Sequence, residues 1–162
     1  MATPISEQIA VIVRSRLAAI STGSGYETTT TGAIRPTKIG TFQPKDYQII
    51  VKEGDKTENA ELSHPGNPMA VAWNFPFLIR GIVRPSDTNT TAMGTIKNTF
   101  EADVDKSLRS VANWHTFGGL AINATITQAV QEDSDDVGAG VFVMTLNVIY
   151  RVSETDPYTV RA

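Results

Sequence analysis

Residues 70–83 read AVAWNFPFLIRGIV. Trp73, Phe75, Phe77, Ile79, Gly81 and Val83 occupy alternate positions, with Asn74, Leu78 and Arg80 between them. A period of two marks a strand, because successive side chains leave a pleated backbone on opposite faces. The aromatic row Trp73, Phe75 and Phe77 has the form of a base-stacking platform. At strand spacing on one face, however, it reads as one wall of a core. Pro76 lacks a backbone N–H, which predicts an edge strand or a bulge.

Downstream, Met93, Ile96, Phe100, Val104, Leu108 and Val111 recur at steps of three and four, the period of an amphipathic helix. Asp87 to Thr91 offers several N-caps. Glu101, Asp103 and Asp105 with Lys97, Lys106 and Arg109 are expected to form its solvated face. Leu120, Ile122, Ala124, Ile126 and Gln128 alternate with Asn123, Thr125 and Thr127, a second strand pattern. The run QEDSDDVGAG, 131–140, predicts a turn. Residues 141–152 follow, apolar on both faces in their first half, as expected of a central strand. Residues 156–162 read as a polar, extended tail.

Upstream, Ile5, Ile9, Val13, Leu17 and Ile20 predict an opening helix, with Thr3 as cap and Pro4 at the first helical position. Gly23 and Gly25 close it. The Thr-rich run Tyr26 to Thr31 and the alternating Tyr47, Ile49 and Val51 of 42–52 predict two strands. Between them and the strand at 70 lies EGDKTENAELSHPGNPM, 53–69, a long loop or hairpin arm. Loops of this length in a compact domain are uncommon. The order is α-β-β-β-α-β-β. The expectation is one α+β domain over 1–162, with a mixed or antiparallel sheet of about four to six strands packed on two amphipathic helices.

The totals narrow the function classes. The chain of 162 residues contains no cysteine, which removes disulfides, thiolate metal sites and a cysteine nucleophile. The net charge of −3 supplies no overall basic footprint for nucleic acid. Met1 to Pro4 carries no basic, then apolar, leader pattern, and no apolar run is long enough for a spanning helix. The expectation is a soluble chain made in the cytoplasm, with no membrane partner.

Catalytic constellations are scarce. His64 lies in a His-Pro-Gly loop and His115 follows the second helix, two isolated histidines that make no metal site on their own. The acidic run Glu132, Asp133, Asp135 and Asp136 invites a calcium-loop reading. Counted from Asp133, Gly138 falls at position six, but Val137 and Met144 occupy ligand positions five and twelve. A solvated hairpin turn fits better. Gly23-Ser24-Gly25 follows a helix rather than opening one, so it reads as a C-cap and not a phosphate cradle. The expectation is a non-enzyme without catalytic residues, metal or cofactor.

Four segments resemble the tail-terminator family of long-tailed bacteriophages, proteins similar to the lambda minor tail protein U. They are the helix Ile5–Ile20 with Gly25-Tyr26 and its Thr-rich run, AVAWNFPFLIRGIV, TAMGTIKNTFEADVDKSLRS, and FVMTLNVIYRV. The segment 53–69 matches no family feature. The resemblance implies a virion protein of the tail and neck, assembled in the host cytoplasm. It implies a ring of copies of the chain, hexameric in the family, that caps the tail tube, ends its polymerisation and joins the head-side connector. Genomic DNA passes through the lumen without specific binding. Alternatives are another neck or head-completion protein, or a small soluble α+β ligand-binding or adaptor domain, which a deep apolar pocket would favour. The assembly contacts are expected on Glu53, Asp55, Lys56, Glu58 and His64, on Glu132, Asp133, Asp135 and Asp136, and on Tyr158.

Overall fold

Residues 2–35, 46–66, 68–84, 91–128, 132–134 and 139–161 are described by a computed structural model. In chain order the elements are α1 (Ile5–Ala18), β1 (Gly32–Ile34), β2 (Gln48–Glu53), β3 (Thr57–Glu58), β4 (Ala70–Val83), α2 (Met93–Leu108), β5 (Asn123–Gln128), β6 (Glu132–Ser134), β7 (Ala139–Ser153) and β8 (Asp156–Val160). The architecture is α+β: one mixed sheet and two main helices. Its spine is the antiparallel pair β4–β7, in unbroken register from Ala70↔Ser153 to Val83↔Gly140. At about 3.4 Å per residue, the ladder is roughly 45 Å long. Short strands tile each flank of this spine. β2 and then β3 run along β4, and β6, β5 and β8 run along β7. β1 pairs parallel with β2 and forms the far edge, giving the order β1-β2-β4-β7-β5.

Both helices contribute to one core on one face of the sheet. Ile5, Ile9, Val13 and Leu17 of α1 and Ile96, Phe100, Val104 and Leu108 of α2 are buried in it with Phe75, Phe77 and Ile79 of β4 and Phe142, Met144, Leu146 and Val148 of β7. Each such side chain contributes about 1.5–3 kcal/mol on burial. Phe142 lies opposite Gly81 with its ring over the glycine, so that a Cβ there would sit 2.1 Å from Phe142 Cζ. The ring occupies the space a side chain on Gly81 would need.

Several sequence expectations change. The span of β4, the start of α2 at Met93 and the central position of β7 stand as read. Pro76 does not mark an edge, since β4 lies between β2 and β7. Its carbonyl accepts the Gly54 N–H at 2.9 Å. A strand residue's N–H and C=O point to the same side, so the missing donor faces the break between β2 and β3, where no ladder bond is lost. The run Tyr26 to Thr31 is not a strand, and only Gly32–Ile34 pairs there. Thr3 does not cap α1. Pro4 holds the cap position without a side-chain bond, and the Gln8 side chain donates to the Thr3 carbonyl at 2.7 Å. Val111 lies beyond the end of α2 and is exposed.

Asp103 and Lys97 are buried rather than on a solvated face. The expected turn at 131–140 is partly ladder, because Glu132–Ser134 pairs with Ala139–Val141. The polar tail at 156–162 contains β8, which folds back on β7 through a register shift at Val152/Ser153. Strand count exceeds the expected range because β3, β6 and β8 are too short to carry a periodic signal.

Candidate functional site

The two faces of the sheet differ. On the face away from the helices, paired residues line up in rows across the strands, because partners in an antiparallel ladder share a face. One row is Lys52, Leu78, Thr145 and Thr127; the next is Pro76, Asn147 and Thr125; a third is Asn74, Ile149 and Asn123. All these residues are half-buried or exposed, and Leu78 in the middle strand is 46% exposed. The second face is thus uncovered along its centre. Its ends are closed. Ile82, Ala139 and Val141 form a small buried cluster at one end. At the other, the loop at 59–64 crosses to Arg151, whose Nε donates to the Leu62 carbonyl at 3.0 Å.

Buried polar contacts hold the β1 edge in place. Asp103 of α2, only 4% exposed, accepts hydrogen bonds from the Thr28 N–H and Thr28 Oγ1, both at 2.7 Å, and from the Glu27 N–H at 3.3 Å. These bonds pin the segment that leads into β1. The Thr30 hydroxyl donates to the Tyr47 carbonyl at 2.7 Å and fastens the same segment to the start of β2. Arg35, just after β1, bridges Glu7 of α1 at 2.7 Å and Glu53 of β2 at 2.6 Å. Its pKa is raised, first by the hydrogen bond with Glu7. The pair is exposed and contributes little to stability by itself.

A second clamp sets the segment before β5. Arg16 Nη1 donates to the carbonyls of Leu108 and Trp114, at 3.0 and 3.3 Å, and its guanidinium lies 4.8 Å from the Phe117 ring centre. Burial lowers its pKa. Phe117 is fully buried at φ 50°, followed by Gly118 and Gly119 at φ 71° and 91°. A phenylalanine in this left-handed region is strained, and its burial under Arg16 offsets the strain.

The residues expected to mediate assembly are scattered. Glu53 ends β2 and binds Arg35. Asp55 is exposed in the turn after it. Lys56 donates to Ser6 Oγ at 2.8 Å and lies 5.0 Å from the Phe75 ring centre. Glu58 is exposed in β3. His64 is exposed, and its backbone exchanges hydrogen bonds with Ala70 at 2.8 and 3.1 Å. The segment 53–69 is therefore tied along β4 for much of its length. Glu132 and Asp133 lie on β6 at the end of the sheet where β7 begins; Asp135 and Asp136 lie outside the described residues. Tyr158 is 45% exposed on β8, its N–H donating to Asp156 Oδ1 at 2.9 Å. The Asp156 pKa is lowered, first by a hydrogen bond from the Thr159 side chain and then by this N–H.

Sequence reasoning did not single out the open-face residues Leu78, Thr125, Thr127, Thr145 and Asn147. The alternation in β4 and β5 placed Leu78, Thr125 and Thr127 opposite the core row, but only the pairing order puts them on one surface with Thr145 and Asn147 of β7. Among the described residues, no three histidine, aspartate or glutamate side chains converge on a metal position, and no helix is long and apolar enough to cross a membrane. Two depressions open to solvent lie beside the sheet, one lined by Thr3, Gln8, Val11, Ile12 and Leu120, the other by Arg35, Val51, Lys52 and Glu53. No protein-family model matches the chain, and no curated protein matches it.

Proposed function

We propose that this chain is a structural, non-catalytic subunit of a bacteriophage tail, of the tail-terminator or neck type. Copies of it form a ring that caps the tail tube, ends its growth and meets the head-side connector. The observation that carries the reading is the one-sided sheet. A spine roughly 45 Å long is covered by helices on one face and left open along the centre of the other. An extended surface mixing Leu78 and Ile149 with hydroxyl, amide and charged side chains suits contact with another protein. The resemblance of the four sequence segments to tail terminators supplies the place of assembly.

The test is assembly. Light scattering and negative-stain imaging of the purified chain, alone and mixed with tail tubes, should show rings or capped tube ends. Labelling of this chain in purified particles should fall at the tail–head junction. A chain that stays monomeric in both settings and is missing from particles refutes the proposal.

A further inference from the structure

We infer that residues 114–128 form a latched flap. The turn Trp114–Gly119 and β5 leave the sheet as one unit, with Arg16 as the latch, while the β4–β7 spine stays paired. The inference concerns the single chain and does not depend on the subunit role.

The first ground is how lightly β5 itself is held. Among the described residues it pairs only with β7. Of residues 123–127, only Ala124 is buried; Ile126 is half-buried, and Asn123, Thr125 and Thr127 are exposed. Buried apolar area is what holds a strand to its sheet, and one methyl group supplies little of it. No ion pair substitutes, because the chain carries no charged residue from Thr116 to Gln131. The spine differs: Phe75, Phe77 and Ile79 of β4 and Phe142, Met144, Leu146 and Val148 of β7 are all in the core. Segments with few buried apolar contacts open at lower free energy than the core.

The second ground is the backbone of the turn. Phe117 is in the left-handed region at φ 50°, where a bulky side chain is strained. Asn113 before the turn, at φ 55°, and Gly118 and Gly119 after Phe117 are pivots at its two ends. The hydrogen bonds inside the segment would move with it. The Thr116 N–H and hydroxyl both donate to the Asn113 carbonyl, and the Ala121 N–H donates to the Thr116 carbonyl.

The third ground is Arg16, which joins the turn to both helices. From α1 its Nη1 reaches the carbonyl of Leu108, the last residue of α2, and the carbonyl of Trp114. The partial negative charge at the end of α2 favours a cation there. The Ser107 hydroxyl donates to the Arg16 carbonyl at 2.7 Å and fixes the base of the latch. The guanidinium also lies against the Phe117 ring, the one fully buried aromatic of the flap. Arg16 thus holds the strained turn shut at the point where its deepest anchor enters the core. Opening would break the bond from the Ile122 N–H to the Ile149 carbonyl and the β5 ladder behind it. β7 would then change from an interior strand to a margin between Met144 and Ile149, still paired with β4 on its other side.

The test is native-state hydrogen exchange of the full chain at rising low denaturant. The amides bonded across β5–β7, with those of Ile122 and Ala121, should exchange through one shared opening. That opening should be at least about tenfold more populated than the one that frees the β4–β7 amides. Ile49→Val, in the core on β2, should raise the spine opening and leave the flap opening unchanged. Arg16→Ala should raise both openings by the same factor, about tenfold, because the latch is lost in both. Arg16→Lys keeps one donor, should give a smaller shift of the same sign, and serves if the alanine variant does not fold. Gly118→Ala adds a Cβ that meets no atom within 4 Å, so it acts on the φ of 71° alone and should raise the flap opening about fivefold. One opening shared by β5 and the spine, or a flap that follows Ile49→Val, overturns the separate unit. A flap opening unmoved by the Arg16 variants while the spine opening rises overturns the latch.

Discussion

Substituting Asp103 with alanine tests how the β1 edge is held. The carboxylate is buried and accepts two short bonds from Thr28, through its N–H and its hydroxyl, and one longer bond from the Glu27 N–H. Alanine leaves the Thr28 N–H without its partner in a buried setting, at a cost of about 1–3 kcal/mol. The hydroxyl can rotate toward another acceptor and adds less, and the Glu27 bond, longer and partly exposed, adds least. A total of about 2–4 kcal/mol is expected, which for a chain of this length lowers the melting temperature by about 5–12 °C. Asp103→Asn should cost less, roughly 1 kcal/mol, because its oxygen can still serve Thr28 while its amide faces another donor. Urea denaturation of both variants, with hydrogen exchange at residues 27–34, is the assay. If Asp103→Ala melts within about 2 °C of the parent chain, or if exchange is unchanged at Thr28, the pinning argument is wrong. A double-mutant cycle with Thr28→Val should return a coupling of about 1–2 kcal/mol.

Two further predictions address the core. Gly81→Ala places a Cβ into the Phe142 ring, which is fully buried and has no room to withdraw, so it should destabilise by about 1–3 kcal/mol; combining it with Phe142→Leu should recover part of the loss in thermal melts. Tyr150 has its pKa raised, first by burial of the phenol, with a hydrogen bond to Ser6 opposing the shift. A raised folded-state pKa contributes stability that is present below the unfolded value, about 10, and lost as pH rises through the folded one. The alkaline limb of the stability profile should therefore fall above about pH 10, and Tyr150→Phe should flatten it; an unchanged limb in the variant counts against the assignment.

The contrast between α2 and its surroundings shows how far sequence reached. The helix was legible because Ile96, Phe100, Val104 and Leu108 repeat at its own period. Asp103 was misread as solvated because its charge is local information, whereas its partners come from Thr28, distant along the chain. Pro76 was misread in the same way. A missing N–H excludes a ladder bond on one side, but only the break between β2 and β3 explains why none is needed there. The Thr-rich run was favoured as a strand by propensity, and the backbone of Thr28 was instead claimed by Asp103.

By itself, the sequence determined the two helices, the long strands β4 and β7 and the α+β class, because periods of two and of three to four are written in neighbouring residues and follow from backbone geometry. It also determined the absence of thiol chemistry and the uncharged stretch from Thr116 to Gln131. Only the tertiary structure decided which strands lie side by side, that both helices contribute to the core on one face, and that β5 and β1 stand at opposite margins. Those outcomes depend on contacts between residues far apart in the chain, where alternative pairings share the same local pattern and differ only in the apolar surface they bury together.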